Sequence, residues 1–185
     1  MSFNAKRTSK FLSLVLRHQP QTLNLTLDDN GWVAVDTLLE HWARYGRQAP
    51  TLDQLHRVVA DNDKQRFAFS EDGTRIRANQ GHSVKVDLKL EPQQPPARLF
   101  HGTATRNVAG ILRDGIQRAK RHHVHLSPDR RTADAVGRRH GKLAMLVVDS
   151  AAMAADGYTF FCSANGVWLT DEVPSRYLQR EDETP

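Results

Sequence analysis

Cysteine is almost missing from this chain, since Cys162 is the only one among its 185 residues. A single cysteine cannot close an internal disulfide, and it leaves no cysteine-based metal cluster. Long apolar runs are missing too. No stretch approaches the roughly 18 residues of a membrane span, and residues 1–6 lack the apolar core of a secretory signal. We therefore expect a cytoplasmic protein that does not contact a membrane.

The fingerprints of common nucleotide-binding folds are absent as well. The chain contains neither a Gly-x-Gly-x-x-Gly motif nor a phosphate-binding P-loop. A dinucleotide site in this chain must therefore be built on another fold.

Positive charge and histidine are present in excess. Lys and Arg number 26 against 21 Asp and Glu, for a formal net charge of +5, and 39% of the residues are hydrophobic. The apolar fraction suffices for a packed core, and the basic excess favours a polyanionic partner. Five of the nine histidines lie between His101 and His140, which makes that region a candidate for catalytic or ligand-binding residues.

Three prolines between Glu91 and Ala97 mark the sharpest change in composition. Proline disfavours helix and cannot donate to a sheet ladder. We predict an interdomain linker at 91–97, between an N-terminal lobe at 1–90 and a C-terminal lobe at 98–185.

The first half of the N-terminal lobe has helical periodicity. Apolar residues recur at helical spacing before Pro20, which predicts a first helix ending near Arg17-His18. Asp36 is predicted to cap a second helix that stops at Gly46.

The second half of this lobe changes period. Thr51 and Gln54 predict a capping box for a third helix, whereas 66–70 and 74–78 alternate about Asp72-Gly73 and predict a β-hairpin. Three helices followed by a hairpin favour a winged-helix module. A further alternating segment at 84–90 predicts one more strand.

The C-terminal lobe is predicted to be rich in short strands. The strand candidates are 98–100, 124–126, 143–148, 158–161 and 167–169. Short helices are predicted from Asn107 to Arg113, with Gly115 as the stop, and around 132–136. The chain as a whole is predicted to be α+β.

The run Leu16-Arg17-His18-Gln19-Pro20 places two protonatable side chains at the end of the first helix. They could hold a phosphate, or they could only complement the dipole at the helix C-terminus. The run from Arg75 to Ser83 adds Arg77, whose planar guanidinium can bind two phosphate oxygens at once. It could equally be a basic hairpin strand that touches nucleic-acid phosphates.

Two further runs lie in the C-terminal lobe. Phe100-His101-Gly102-Thr103 places a histidine beside a glycine that permits close backbone approach to a ligand. Arg121 precedes a strand on which His123 and His125 share a face. Two such histidines could bind zinc, but no cysteine or carboxylate at ligand spacing accompanies them.

Two other sets are interpreted as structural. The basic run from Arg130 to His140 is typical of a solvated helix face. Trp32, Trp42 and Trp168 are expected in the core or an interface, although an exposed tryptophan could stack on a base.

Taken in order, four of these motifs resemble the RNA 2′-phosphotransferase family. They are Leu-Arg-His-x-Pro, Ile-Arg-Ala-Asn-Gln-Gly-His-Ser, His-Gly-Thr and Arg-x-His-Val-His-Leu-Ser. The resemblance covers nearly the whole chain. It implies a winged-helix lobe followed by an ADP-ribosyltransferase-like lobe that binds NAD⁺.

The resemblance also implies functional residues. The implied catalytic residues are Arg17, His18, Arg77 and Arg121. The implied NAD⁺-binding residues are His101, Gly102, Thr103, His125, Ser127 and Val167, where Val167 stands in place of the glutamate of many ADP-ribosyltransferases. Substrate RNA is expected to contact Asn79, Gln80, His82, Ser83 and His123. Glu172 lies five positions beyond Val167 and does not fill that slot.

The implied reaction moves an internal 2′-phosphate of RNA onto NAD⁺, as in the last step of tRNA splicing. The products would be 2′-OH RNA, nicotinamide and ADP-ribose 1″,2″-cyclic phosphate, formed through an RNA-2′-phospho-ADP-ribose intermediate. We expect a monomer, since nothing in the sequence demands more. No metal is expected, because arginines can supply the charge that Mg²⁺ often supplies in phosphoryl transfer. The alternatives are an ADP-ribosyltransferase acting on a nucleic-acid or protein acceptor and a non-catalytic winged-helix nucleic-acid-binding protein.

Overall fold

The computed structural model describes residues 3–45, 48–62 and 64–181. The chain divides into two compact units, 1–89 and 90–185, and each combines helices with small antiparallel sheets. The predicted α+β class is therefore confirmed. Within the described ranges, none of the helices has the length and apolar character needed to cross a membrane.

Three helices form most of the first unit: α1 (Ala5–Arg17), α2 (Val35–Arg44) and α3 (Leu52–Ala60). The side chain of Asn4 caps α1 by accepting from the backbone N–H of Arg7 at 2.9 Å. One face of α1 is apolar and enters a core whose fully buried members include Leu12, Leu16, Leu23, Leu38, Leu55 and Ile76. As predicted, α1 ends at Arg17.

Three short strands complete the first unit: β1 (Val33–Ala34), β2 (Phe67–Phe69) and β3 (Arg75–Ala78). They pair antiparallel in the order β1-β3-β2, so the predicted hairpin of β2 and β3 is confirmed. Strand β1 was not predicted. It is only two residues long and is a strand only because β3 lies beside it.

The predicted helix caps have different outcomes. Thr51 and Gln54 form the predicted capping box at the start of α3. The prediction for Asp36 is wrong: Ala34 is the N-cap of α2, and Asp36 lies inside the first turn, where its carboxylate faces the positive end of the helix dipole. The predicted stop at Gly46 lies outside the described residues.

The predicted strand at 84–90 is also wrong, because no part of this segment is a strand. Its side chains do alternate in exposure, but its backbone makes isolated hydrogen bonds with the end of α1 and with a loop. The N–H of Val84 donates to the carbonyl of Arg17 at 3.2 Å, and that of Asp87 donates to Asp29 at 2.7 Å. Lys89 adopts a positive φ of 53°, which is incompatible with a continuing strand.

The second unit is built from eight strands and three short α-helices within the described residues. In chain order they are β4 (Arg98–Ala104), α4 (Val108–Asp114), β5 (Ile116–Gln117), β6 (Val124–Leu126), α5 (Arg130–Gly137), β7 (Leu143–Asp149), α6 (Ser150–Ala155), β8 (Phe161–Cys162), β9 (Trp168–Thr170), β10 (Glu172–Val173) and β11 (Leu178–Arg180). The sheets have the orders β11-β7-β4, β6-β9-β8 and β10-β5.

Most predicted elements of the second lobe are present with shifted bounds. The exception is 158–161, where only Phe161 enters a strand, together with Cys162. Phe160 is instead buried to 1% exposure in the core of this unit. The backbones of Phe100 and Ser127 exchange two hydrogen bonds, of 2.8 and 2.9 Å, and so connect β4 to the chain just after β6.

Residues 91–97, predicted as a linker, lie in the second unit. Pro92 forms a β-bridge with Phe161, and the N–H of Gln93 donates to the carbonyl of Phe160 at 2.8 Å. The hydroxyl of Ser150 donates to the carbonyl of Pro96 at 2.6 Å. Proline cannot donate a backbone hydrogen bond, but its carbonyl and its neighbours can fix such a segment.

Candidate functional site

The end of α1 and the loop after β3 hold three of the predicted residues together. The carbonyl of Arg17 accepts from the N–H of Ser83 at 2.9 Å. The side chains of His18 and Ser83 are hydrogen-bonded, with Nδ1 and Oγ 2.9 Å apart. Ser83 therefore orients the imidazole and directs its other nitrogen, Nε2, away from this bond.

The guanidinium of Arg17 is tied to the hairpin. Its Nη2 donates to the carbonyl of Arg66 at 3.3 Å, and the N–H of Asn79 donates to the same carbonyl at 2.9 Å. Its Cζ lies 5.9 Å from the centre of the Phe67 ring. The partly buried Arg17 is thus held at the same edge of the hairpin as the loop that follows β3.

The polar loop after β3 is largely buried. Asn79 is 6% exposed, and its amide donates to the carbonyl of Gln65 at 2.6 Å. Its buried Oδ1 has no hydrogen-bond partner among the described residues. His82 is 2% exposed and lies close to Gly31, and Gln80 is partly buried. Of these three side chains, Asn79 offers an acceptor that a ligand could use.

Arg77 lies on the face of β3 that points away from the core. The strand alternates, so Ile76 and Ala78 are fully buried while Arg77 is only partly covered. Its Cζ is 4.5 Å from the centre of the Trp32 ring. Burial lowers the pKa of this guanidinium, and the nearby carboxylate of Asp28 opposes that shift. Arginine's ordinary pKa is so high that the group stays charged at neutral pH.

Among the predicted histidines of the second unit, His101 is the one most affected by burial. Its Nδ1 donates to the carbonyl of His125 at 3.3 Å. Burial lowers the pKa of His101, and the electrostatic effects of His140 and Arg121 lower it further, whereas that hydrogen bond raises it. The ring is therefore neutral at pH 7, with the proton on Nδ1 and a lone pair on Nε2 that can accept a hydrogen bond.

The next two residues of β4 are buried. A Cβ at Gly102 would overlap the carbonyl oxygen of Ala133 in α5, so the missing side chain permits a close approach of strand and helix. Thr103 is 4% exposed, and its hydroxyl accepts from the amide of Asn107 at 3.2 Å. Gly102 thus lies against protein backbone of α5. That Gly102 also lines a cofactor pocket stays a prediction.

The two histidines of the β6 region share a face, as predicted. Val124 and Leu126 enter the core, while His123 and His125 alternate with them and are partly covered. The His123 ring lies 5.5 Å from that of Phe161, and burial lowers its pKa. The exposed Arg121 donates from Nη1 to Nδ1 of His125 at 3.5 Å.

The side chains around His123 and His125 do not favour a zinc site. Within 3–45, 48–62 and 64–181, no three His, Cys, Asp or Glu side chains are grouped so that they could hold a metal ion. A structural zinc ion usually needs four such ligands in a tetrahedron. The partner of His125 is a guanidinium, whose positive charge would oppose a bound cation.

Ser127 and Val167 lie at the same end of the β6–β9 ladder. The last pair of this antiparallel ladder is Leu126 with Trp168, and Ser127 and Val167 are the next residue along each strand. Glu172 lies in β10, exposed and paired with Gln117. Glu172 therefore does not supply a carboxylate at the position of Val167, as its place in the sequence indicates.

The basic residues of the run from Arg130 to His140 lie at the start of α5 and just after its end, and they are exposed, as on a solvated helix face. Arg130 donates to Glu181 at 2.6 Å, and Arg138 forms an ion pair with Asp134 one turn away. Two of the cations in this run, Arg130 and Arg138, are therefore paired with carboxylates of the protein itself. Pairs of this exposed kind contribute little stability.

The sequence analysis named Trp32 without predicting its arginine neighbours, and it did not single out Asp28. Trp42 is in the core as expected, at 2% exposure, but Trp32 is partly exposed and faces two arginines. The local signal is Asp28-Asp29-Asn30-Gly31-Trp32, a turn sequence just before a strand. That signal predicts the turn, but it does not indicate which side chains contact the indole of Trp32.

Comparisons with known proteins agree with the motifs in both units. Residues 4–172 match the family model described as RNA 2′-phosphotransferase, Tpt1 / KptA family. A probable RNA 2′-phosphotransferase of Agrobacterium fabrum is 56% identical over 173 residues, which cover 92% of this chain and 91% of that protein. One of Hahella chejuensis is 52% identical over 185 residues, covering 100% and 99%. This chain belongs to the RNA 2′-phosphotransferase, Tpt1 / KptA family.

Proposed function

We propose that this protein removes an internal 2′-phosphate from RNA by transferring it to NAD⁺. In this proposal the first unit is a winged-helix RNA-binding lobe, and the second is an ADP-ribosyltransferase-like lobe. The RNA would be of the tRNA splice-junction type. The RNA 2′-phosphotransferase names of the relatives support the reaction, and the side chains of each unit support a separate role for that unit.

The first unit supports the phosphate role. Arg77 keeps a charged guanidinium partly buried, and its Nε is buried without a hydrogen-bond partner in the described part of the chain. Leaving such a donor unpaired costs about 1–3 kcal/mol. A phosphate oxygen would relieve that cost with a charge-assisted hydrogen bond. This unsatisfied donor is the observation that carries the proposal.

The second unit fits NAD⁺ by the chemistry of its side chains. The nicotinamide ring of NAD⁺ is positively charged, and the lowered pKa values of His101 and His123 leave neutral imidazoles that do not repel it. Nε2 of His101 can accept from a ribose hydroxyl. With Gly102, Thr103, His125, Ser127 and Val167, it forms the proposed NAD⁺-binding set.

In the first step, an oxygen of the RNA 2′-phosphate forms a bond to C1″ of the nicotinamide ribose, and the bond from C1″ to nicotinamide breaks. The electron pair leaves with nicotinamide, and RNA-2′-phospho-ADP-ribose remains. Many ADP-ribosyltransferases use a glutamate near C1″, but a carboxylate would repel a phosphate nucleophile. The uncharged side chain of Val167 avoids that repulsion.

In the second step, the ribose O2″ attacks the phosphorus, and the RNA 2′-oxygen leaves. The ribose O2″ loses a proton, and the RNA oxygen gains one. Arg77 and Arg121 would stabilise the charge that builds on the phosphate, and Arg17 would assist. His18, oriented by Ser83, would bond the phosphate or move one of these protons.

The test uses a short RNA with one internal 2′-phosphate, incubated with the protein and a chelator, with and without NAD⁺. RNA and nicotinamide are both followed. We expect phosphate loss only with NAD⁺, matched by an equal release of nicotinamide. RNA carrying stable ADP-ribose would favour an ADP-ribosyltransferase, and salt-sensitive RNA binding without nicotinamide release would favour a non-catalytic binding protein. Activity that disappears in chelator would contradict the metal-independent mechanism.

A further inference from the structure

Two arginines and one indole meet on the outer face of the first unit's sheet. The register of β1 and β3 pairs Val33 with Ile76 and Ala34 with Arg75. Continued by one position, it sets Trp32 directly opposite Arg77, and side chains directly opposite each other share a face. The distances agree: the Cζ atoms of Arg77 and Arg75 lie 4.5 and 5.5 Å from the centre of the Trp32 ring.

The indole is itself fixed by a tight turn. Oδ1 of Asp28 accepts from the backbone N–H groups of Asn30 and Trp32, both at 2.9 Å. The backbones of Asp28 and Trp32 are also bonded at 2.9 Å, and Gly31 supplies the positive φ of 80° that closes the turn. The Trp32 ring is therefore anchored at its own backbone and does not depend on the arginines for its position.

The same carboxylate contributes charge. Oδ2 of Asp28 lies 3.7 Å from Nη1 of Arg75, and the electrostatic effect of Asp28 also reaches Arg77. Arg75 thus forms an ion pair with Asp28, and the indole lies closer to Arg77 than to Arg75. The N–H donors of a guanidinium lie in its own plane. When the group stacks on an aromatic ring, they point outward at its edge, where they can bind an anion.

We propose that Trp32 is a positioning residue, whose indole holds the guanidinium of Arg77 in the orientation that binds the RNA 2′-phosphate. This inference rests on the proposed function, because it assigns Trp32 a role in the reaction of Arg77. The stack would replace part of the water that Arg77 loses on burial and would restrict its rotamers before substrate arrives. Trp32 therefore acts through Arg77 and need not touch the RNA.

The kinetic test compares Trp32→Leu with Trp32→Phe, which keeps an aromatic face. A stacked cation at a partly desolvated site predicts that Trp32→Leu slows single-turnover conversion of the RNA-2′-phospho-ADP-ribose intermediate about tenfold, while Trp32→Phe recovers most of the rate. The KM for NAD⁺ should stay the same. Equal rates in the wild-type protein and Trp32→Leu would overturn the proposal.

A double-mutant cycle distinguishes positioning from direct contact. If Trp32 acts through Arg77, Trp32→Leu adds no further loss in an Arg77→Ala background. If the indole instead stacks on an RNA base, Trp32→Leu weakens RNA binding by the same factor in both backgrounds, and the proposal is wrong. Circular dichroism and thermal unfolding check that each variant is folded.

A readout without turnover keeps the test separate from the proposed function. The Nε–Hε resonance of Arg77, assigned as the one that Arg77→Lys removes, should be shifted upfield by the indole ring current. It should return to the range of the other arginines in Trp32→Leu, and inorganic phosphate should move it in the wild-type protein. A wild-type resonance already in that range would exclude the stack, whether or not the protein consumes NAD⁺.

Discussion

The two units treat their ionisable side chains in opposite ways. In the first unit, burial lowers the pKa of Arg77, yet the group remains a cation beside the indole of Trp32. In the second unit, burial lowers the pKa of His101 and His123, and these rings become neutral at pH 7. The same desolvation therefore gives a charged donor in one unit and an uncharged acceptor in the other.

The difference lies in the ordinary pKa of each group. Desolvation disfavours the charged form of both, but an arginine starts far above neutral pH and a histidine starts close to it. A site for a phosphate dianion can therefore be partly buried if it uses guanidinium groups. A site for a positively charged nicotinamide ring can be buried if it uses imidazoles. Substitutions and pH can test this contrast, from the largest expected effect to the smallest.

The largest effect is expected from removing one guanidinium in each unit. Arg77→Ala and Arg121→Ala should each slow the second step by about 10³-fold, because in the proposed mechanism each removes a donor to the charge that develops on the phosphate. The intermediate should accumulate in quenched single-turnover reactions, and the matched Lys variants should recover only part of the rate. Normal product with no accumulated intermediate, for either alanine variant, would show that its assignment is wrong.

The second prediction compares the effect on stability of replacing two glycines of the second unit by alanine. Gly102→Ala should lower the free energy of unfolding by about 3 kcal/mol or more, because its Cβ would overlap the backbone of Ala133. Gly110→Ala is the matched control, since its Cβ meets no atom within 4 Å, and alanine favours the helix α4 that holds it. Calorimetry measures both variants. Equal stability of the two would refute the close approach at residue 102.

The contrast in protonation predicts a dependence of stability on pH. Above about pH 6.5, His101 is neutral in both the folded and the unfolded chain. Below that pH, the unfolded chain binds a proton that the folded chain does not, because burial lowers the folded pKa. The free energy of unfolding should therefore fall as the pH decreases from 6.5. Denaturant titrations should show a smaller fall in His101→Gln, and an unchanged fall would contradict the assignment.

The smallest effect tests the helix caps of the first unit. Thr51→Ala should cost about 1 kcal/mol, because it removes the capping box of α3. Asp36→Ala should cost less, about 0.5 kcal/mol, since Asp36 only faces the dipole of α2 and does not cap it. Urea unfolding at low salt resolves the two. A larger loss at Asp36 would reverse this order.

Most elements governed by near neighbours were predictable from sequence, although the N-cap of α2 was not. The end of α1, the capping box at Thr51 and the hairpin of β2 and β3 follow from residues a few positions apart. Two-residue strands such as β1 were not predictable, because each is a strand only through its partner. The segment 84–90 shows the converse, since it has the alternation of a strand without a ladder to join.

The sequence by itself determined the α+β class, the family motifs and the residue types that carry charge. Only the tertiary structure decided how those residues behave: Arg77 lies against Trp32, Ser83 orients His18, and burial lowers the pKa of His101. Capping and turn formation depend on neighbours along the chain, which a sequence displays directly. Desolvation and cross-strand stacking depend on atoms that are distant in sequence, and folding alone brings them together.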